Sequence, residues 1–447
     1  MLKRLLSFLP KGSPSIKHQI IPRDKHTISR RNISNAALKV MSRLAEAGHE
    51  AYLVGGGVRD LLLGDHPKDF DVATDAKPEQ IKSLFRNSRI IGRRFKIVHV
   101  RFGREIIEVT TFRDNHDQQA DNSNHSARSD EGMLLRDNVY GDIRSDALRR
   151  DFTVNALYYT LDQFSVHDFT GGVQDIGKRK IRMIGKPETR YQEDPVRMLR
   201  AVRFAAKLDF QIDPATAKPI FQLGSLLQNI PPARLFEELL KLFMGGYAAA
   251  VFPKLVEYQL LQYLLPATQQ ALTEEQPLAE ALINQALANT DARIASEQRV
   301  TPAFILAALL WAPLGKEEKK LQQQGLKPLQ AHQQAAQNVI SQQLQTTSIP
   351  KRFTQFMREI WLLQDRLARR QGSRAEKVFE HPRFRAAYDF LLMREQAGEN
   401  LQGLGAWWSH YQEAGADERL QMASRLDKGK PKRRRTRKRP PTQTQQG

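Results

Sequence analysis

The sequence predicts an α+β chain: strands and short helices alternate up to about residue 185, and helices alone follow. Two observations carry this. Short apolar runs bounded by glycine, such as Ala51–Val54, Ile97–Phe102 and Glu105–Thr111, have the length and period of strands. Beyond residue 185 the apolar residues recur with the 3.6-residue period of helices instead. A third feature closes the chain: Lys428 to Arg439 holds nine basic residues and no acid, which reads as a disordered cationic tail.

The elements follow in order. Residues 1–30 are basic and irregular, an extension expected to be mobile. Ser34 is a good N-cap for a helix whose Ala37, Leu38, Met41, Leu44 and Ala45 form one stripe. Ala51–Val54 runs as a buried strand into Gly55-Gly56-Gly57, and Val58–Leu63 is a short helix stopped by Gly64. Asp69–Thr74 reads as a second strand and Pro78–Phe85 as a helix, and a hairpin turns at Gly103. Residues 113–146 are polar, with little to bury, and are expected to form a mobile loop over a site. Order returns from Leu148 to Tyr159, before a Gly171-Gly172 turn. Pro195–Leu208, Pro232–Phe243, Tyr247–Leu264 and Thr301–Leu310 are expected helices. The domains expected are thus an extension (1–30), a catalytic domain (31–185), a helical neck that binds nucleotide base and RNA (186–250), a helical RNA-binding body (251–425) and the tail (426–447).

Composition bounds the partners. Lys and Arg outnumber Asp and Glu by 69 to 49 in 447 residues, a net charge of +20. Such an excess points to a polyanion, nucleic acid before membrane, with a merely solvated basic surface as the alternative. There is no cysteine, which excludes disulfides and thiolate metal sites and fits a reducing cytoplasm. The longest apolar stretch, Ala303–Leu314, is shorter than the ~20 residues a spanning helix needs. Met1–Pro10 is too short and broken for a secretory signal, and a weak surface anchor is its alternative reading.

Three constellations carry chemistry. In the first, Leu53-Val-Gly-Gly-Gly-Val-Arg-Asp60 is followed by Asp69-Phe-Asp71. Residues two apart on a strand share a face, so Asp69 and Asp71 project together while Phe70 turns inward. Adjacent carboxylates repel and attract cations, and oxygen ligands suit Mg²⁺, which completes its shell from water and phosphates. Two such ions would activate an attacking hydroxyl and stabilise a leaving pyrophosphate. Gly56 and Gly57 leave N–H groups free at a helix start to cradle phosphate, and Arg59 is placed to reach the same anion. A bare D-x-D is more often a solvated strand end; strand, glycine turn, short helix and D-x-D together are far more specific.

The second constellation is Arg149-Arg-Asp-Phe-Thr-Val-Asn-Ala156. Its guanidiniums, Arg150 among them, match phosphate oxygens, and Asn155 adds a hydrogen bonder. The alternative is a helix start capped by Asp151. The third is Glu193-Asp-Pro-Val-Arg197, continuing through Arg200 and Arg203 to Phe204. Arginines at three-residue spacing on an apolar helix are costly to bury unless anions meet them, or unless they form an internal Arg–carboxylate network. Glu193 and Asp194 are expected at the start of that helix. Glu108, flanked by apolar strand residues, is either a third metal-site carboxylate or the partner of an arginine.

Together the motifs resemble the nucleotidyltransferases that share a catalytic domain with DNA polymerase β, in the bacterial branch of tRNA CCA-adding enzymes and poly(A) polymerases. The resemblance spans roughly residues 35–245 and keeps the family's motif order. It implies a polymerase β-like domain with a mixed sheet, catalytic Asp69, Asp71 and Asp151, and catalytic metals (Mg²⁺) on Asp69 and Asp71. It gives Glu193, Asp194 and Arg197 to selection of the incoming base. Ile90-Ile-Gly-Arg-Arg-Phe-Lys-Ile-Val-His-Val100 resembles the segment that marks the poly(A) polymerases, and the basic C-terminus fits general RNA tailing. The activity implied is template-independent addition of AMP from ATP to RNA 3′ ends, of mRNA or small regulatory RNA, promoting RNA turnover. RNA-degradation proteins are the expected partners, in the cytoplasm and without stable membrane insertion. The alternatives are CCA addition to tRNA and a catalytically silent RNA-binding protein. His116-Asp117 has no matching ligand set and reads as surface.

Overall fold

The computed structural model describes residues 18–92, 96–114, 126–128, 134–137, 139–274 and 277–426. The chain divides into two compact units, Met1–Pro266 with Thr346–Ser348 and Ala267–Gln345 with Ile349–Gly447. The tail, Met1–Pro10, His116-Asp117 and the Arg93-Arg94-Phe95 part of the Ile90–Val100 segment lie outside the described residues.

The first unit is built on one sheet. Its strands are β1 (Gln19–Ile21), β2 (Ala51–Val54), β3 (Asp71–Thr74), β4 (Ser88–Ile91), β5 (Ile97–Phe102), β6 (Glu105–Thr111), β9 (Leu157–Thr160) and β10 (Val166–Asp168), while β7 (Ser126–Arg128) and β8 (Leu134–Asp137) form a separate hairpin. The order is β1-β10-β9-β2-β3-β6-β5-β4. Every neighbouring pair is antiparallel except β3 and β6, so the sheet is mixed, as the resemblance implied.

The helices that frame the sheet are α1 (Asn35–Glu46), α2 (Gly56–Leu63), α3 (Pro78–Leu84), α4 (Ile143–Arg149) and α5 (Gly172–Gly177). Ser34 caps α1 by accepting from Ala37 N at 3.1 Å, and Val40, Met41 and Leu44 on its inner face are fully buried. The helical part of the unit follows: α6 (Pro187–Glu193), α7 (Val196–Leu208), α8 (Pro214–Leu223), α9 (Pro232–Phe243) and α10 (Ala248–Glu257).

The second unit is helical wherever it has regular structure among the described residues. Its core holds Trp361 and Trp408, whose indole N–H groups donate to Ala307 O at 3.1 Å and Leu367 O at 3.0 Å, so neither polar tip is left unpaired. Ala303 and Ile305–Leu310 are buried there, as expected of a core helix. No helix of the described residues is long and apolar enough to cross a membrane.

Four local expectations are corrected. Part of the N-terminal extension is ordered: Gln19–Ile21 pairs with β10, and Ile21 and Ile28 are buried. A strand of three residues is too short to show against a basic background. The polar 113–146 region contains the β7–β8 hairpin and most of α4, because ladder bonding needs no apolar side chains. The single helix expected over Tyr247–Leu264 breaks at Gln259, whose φ of 56° no helix accommodates. Finally, Glu193 and Asp194 do not begin a helix: Glu193 ends α6, and Asp194 is extended (φ −150°, ψ 91°) before α7. Proline at 195 disfavours the helical conformation in the residue before it, which is the cause of that break.

Candidate functional site

The carboxylates come from the parallel centre of the sheet. Asp71 opens β3, opposite Val54 on one side and Glu108 on the other. Phe70 is buried, as its alternation required. Asp69 is not on the strand: it lies exposed in the turn just before it, so the pair is a turn acid and a strand acid rather than two residues of one strand face. Burial, then the negative charge of Glu108, then that of Asp69 push the Asp71 carboxyl up to about 6, against the opposing pull of Arg150. Glu108 meets His99 at 3.2 Å (Oε1 to Nε2), an imidazole where an arginine was one of the two expected partners. Among the described residues no three acids or histidines form a complete metal shell. Two hard carboxylates short of cation, with no closed ligand set, suit a divalent ion that keeps waters and takes phosphate oxygens.

The glycine turn sits beside these acids. Gly55 has φ 77° and ψ −135°, a conformation open to glycine, and its N–H donates to Leu157 O at 3.3 Å, tying the turn to β9. Gly56 faces the cavity described below, whereas Gly57 is buried behind it against Phe70 and the Asp69 carbonyl. Arg59 is almost fully buried, and its donors are committed to Asp60 (2.8 Å from Nε) and the Asn155 side-chain oxygen.

The second motif leaves α4 at Arg149 and enters a short 3₁₀ turn, Thr153–Asn155. Its path is fixed by close contact: a Cβ on Gly172 would lie 2.2 Å from the Thr153 carbonyl oxygen. Asp151 caps no helix. Its Oδ1 accepts from Phe152 N at 2.7 Å and from Asn155 at 3.3 Å, while Oδ2 accepts from Arg200 Nε at 2.7 Å. Burial alone would raise this carboxyl; the Arg200 guanidinium and these hydrogen bonds overcome burial and hold it at about 2. Arg150 is locked in turn: Nε and Nη2 donate to Asp146, and Nε to Tyr158 Oη at 2.9 Å. Its remaining Nη1 points toward Gly55.

The third motif divides its labour. Glu193 accepts from Arg190 at 2.8 Å and Arg197 at 2.9 Å, and Arg197 also donates to the Arg190 carbonyl at 2.7 Å. Asp194 is held instead by Arg234 at 2.8 Å. Arg200 reaches Asp151. Arg200 and Arg203 lie over the ring of Phe204 at 5.3 and 4.8 Å, with Arg59 at 5.4 Å.

These groups meet in one cavity of about 530 Å³. Gly56, Arg59, Asp71, Arg150, Asp151, Asn155, Asp194, Arg197 and Arg200 line it; Gly57, Asp69 and Arg203 do not. Sequence reasoning missed Arg113, Asp146 and the site position of Arg149. Arg149 has its pKa pushed well down, by burial first and then by Arg113, Arg150, Arg190 and Arg197. A cluster of like charges in a cavity stores repulsion that a polyanion relieves. Arg149 was legible as half of an Arg-Arg pair; Arg113, at the end of an otherwise polar stretch, carried no signal.

Comparison with known proteins gives the family. Three family models match the chain: "Poly A polymerase head domain" over residues 51–182, "Probable RNA and SrmB- binding site of polymerase A" over 209–272, and "Polymerase A arginine-rich C-terminus" over 324–440. Poly(A) polymerase I of Escherichia coli is 52% identical over 424 residues, 94% of this chain and 91% of its own. The CCA-adding enzyme of Bacillus subtilis is 38% identical over 228 residues, 51% of this chain and 55% of its own. The solved Thermotoga maritima CCA-adding enzyme complexed with tRNA shares the fold, with a TM-score of 0.57 at 19% identity over 88% of this chain and 86% of its own. With the Asp71 acids, the arginine cluster and the split third motif gathered in one cavity, and near-complete coverage at half identity, the chain belongs to the poly(A) polymerase family.

Proposed function

We infer that the chain adds AMP from ATP to RNA 3′ ends without a template. The observation that carries this is the convergence in one cavity of a cation-seeking Asp71, a cluster of arginines that repel one another, and Asp194 with Arg197 beside them.

The roles follow from charge. Asp71, with Asp69 from the adjoining turn, holds Mg²⁺, which would supply Lewis-acid stabilisation of the transferring phosphate and the leaving pyrophosphate. The Gly55–Gly56 turn and the guanidiniums of Arg149, Arg150 and Arg113 receive the triphosphate. Arg59 and Asn155 are tied to each other and so shape the turn more than they contact the anion. Asp151, with a pKa near 2, is too weak a base to take a proton at neutral pH; it positions Arg200 and Asn155 at the edge of the cavity. Asp194 and Arg197 read the adenine edge, which offers an N6 donor and ring-nitrogen acceptors. The substrate 3′ ends are those of mRNA and small regulatory RNA, recognised without a fixed sequence.

The decisive experiment incubates purified protein with generic RNA, with tRNA lacking its CCA end, and with each NTP in turn, in Mg²⁺. Long A-tracts on generic RNA support the inference. A CCA end confined to tRNA overturns it in favour of the other branch, and no extension in any lane overturns both.

A further inference from the structure

We propose that Arg234, on the helix after the base-reading motif, is a positioning residue that sets the preference for ATP by holding Asp194 in its reading orientation. The proposal rests on the assignment of Asp194 to adenine recognition.

Three arginines of the neighbouring helices are engaged elsewhere. Arg190 and Arg197 share Glu193, and Arg200 is bound to Asp151. Among the described residues only Arg234 reaches the Asp194 carboxylate, Nη2 to Oδ2 at 2.8 Å. The other oxygen, Oδ1, is buried with no hydrogen-bond partner among the described residues. A buried carboxylate oxygen with no donor is costly, so this half of the group is incomplete until a donor arrives. Asp194 lines the cavity, and an exocyclic amine is the donor that a nucleobase brings there.

Asp194 has little of its own to fix it. It is extended, in the gap between α6 and α7, and its neighbours on those two helices bond only its backbone: N to Arg190 O at 3.3 Å, and O from Arg197 N at 3.0 Å. The carboxylate plane is therefore set by Arg234. That arginine is well anchored, in the first turn of α9, where Pro231 and Pro232 fix the backbone and Arg234 N donates to Pro231 O at 2.9 Å. Without the guanidinium, Oδ2 is free to turn toward the neighbouring cations and Oδ1 loses its aim.

The test measures kcat and KM for single-nucleotide addition with ATP, CTP, GTP and UTP, and Tm, for Arg234→Met, Arg234→Lys, Asp194→Ala and the Asp194→Ala/Arg234→Met double variant. Arg234→Met should lower the ATP-to-UTP ratio of kcat/KM by roughly 5- to 100-fold, the worth of one base-edge contact, because uracil presents a carbonyl oxygen where adenine presents an amine. The loss should fall mainly on the KM for ATP, Arg234→Lys should recover part of it, and the double variant should be no worse than Asp194→Ala. An equal loss for all four NTPs would show a structural role and overturn the proposal. So would an unchanged ratio in Arg234→Met beside a collapsed one in Asp194→Ala, which leaves the base-reading assignment standing. If neither variant moves the ratio, that assignment fails and the proposal with it. Should Arg234→Met not fold, Arg234→Gln, which keeps a donor at lower charge, carries the same comparison.

Discussion

Arg200, on α7, donates its Nε to Asp151 Oδ2 at 2.7 Å and so ties that helix to the motif that follows α4. Removing the arginine strands a carboxylate in a largely buried place. Arg200→Met is expected to destabilise the protein by roughly 2–3 kcal/mol, below the usual cost for a fully buried pair because Arg200 is a third exposed. Urea denaturation at pH 7 measures it, and a loss under about 0.5 kcal/mol, the range of a surface pair, would remove the claim.

The same pair predicts an acid limb. The folded pKa of Asp151, about 2, lies below its ordinary value of 3.8. The carboxylate therefore contributes stability that is complete above pH 3.8 and lost as pH falls toward 2. Asp151→Asn should flatten the dependence of stability on pH in that window, by an amount on the order of 2 kcal/mol between its ends. Overlapping acid profiles for the two proteins would refute it.

How the site was legible differs from residue to residue. Asp71, Asp151 and the arginines of α7 were visible because their spacing placed them where chemistry needs them. The central hairpin was equally plain, with Gly103 at its turn. Asp69 was misplaced because alternation assumes that the strand has already begun, and here the chain is still turning out of Gly64. Partners on distant elements could not be read. That Arg234 rather than Arg197 holds Asp194 depends on a contact between elements distant along the chain, on which local periodicity is silent, whereas the Asp146–Arg150 pair has the i,i+4 spacing of one helical turn.

Asp71 should behave oppositely to Asp151. Its pKa is raised to about 6, so in the metal-free protein its charged form is disfavoured and stability declines from about pH 4 to pH 6. Asp71→Asn is expected to raise the metal-free stability at pH 7.5 by on the order of 2 kcal/mol while abolishing nucleotide addition. Thermal melts with and without Mg²⁺ check both halves: the ion should stabilise the parent protein and leave Asp71→Asn unmoved. An active Asp71→Asn would end the metal assignment.

The arginine cluster predicts an affinity for inorganic triphosphate alone. Tripolyphosphate should raise the Tm of the parent protein in a salt-dependent way, since it relieves the repulsion around Arg149. Arg149→Ala should lose most of that shift and raise KM for all four NTPs alike, a phosphate contact being blind to the base. A selective effect on one NTP would place Arg149 elsewhere.

The basic stretch from Lys428 to Arg439 carries a prediction from sequence alone. Deleting Lys428–Gly447 should flatten the slope of log RNA affinity against log salt by up to roughly 6 units, if most of the nine cations meet phosphates. Addition rates at saturating RNA and ATP should barely change. Parallel salt slopes for the full and truncated proteins would rule out an RNA-binding tail.

Helix α7 carries Arg197 and Arg200 one turn apart, about 4.5 Å along its axis. One side chain faces the acid that ends α6 and the other the acid after α4. A rod gripped at two such points is braced against rotation about its own axis: turning it to release one carboxylate drags on the other, so α7 holds Glu193 and Asp151 in a fixed relation.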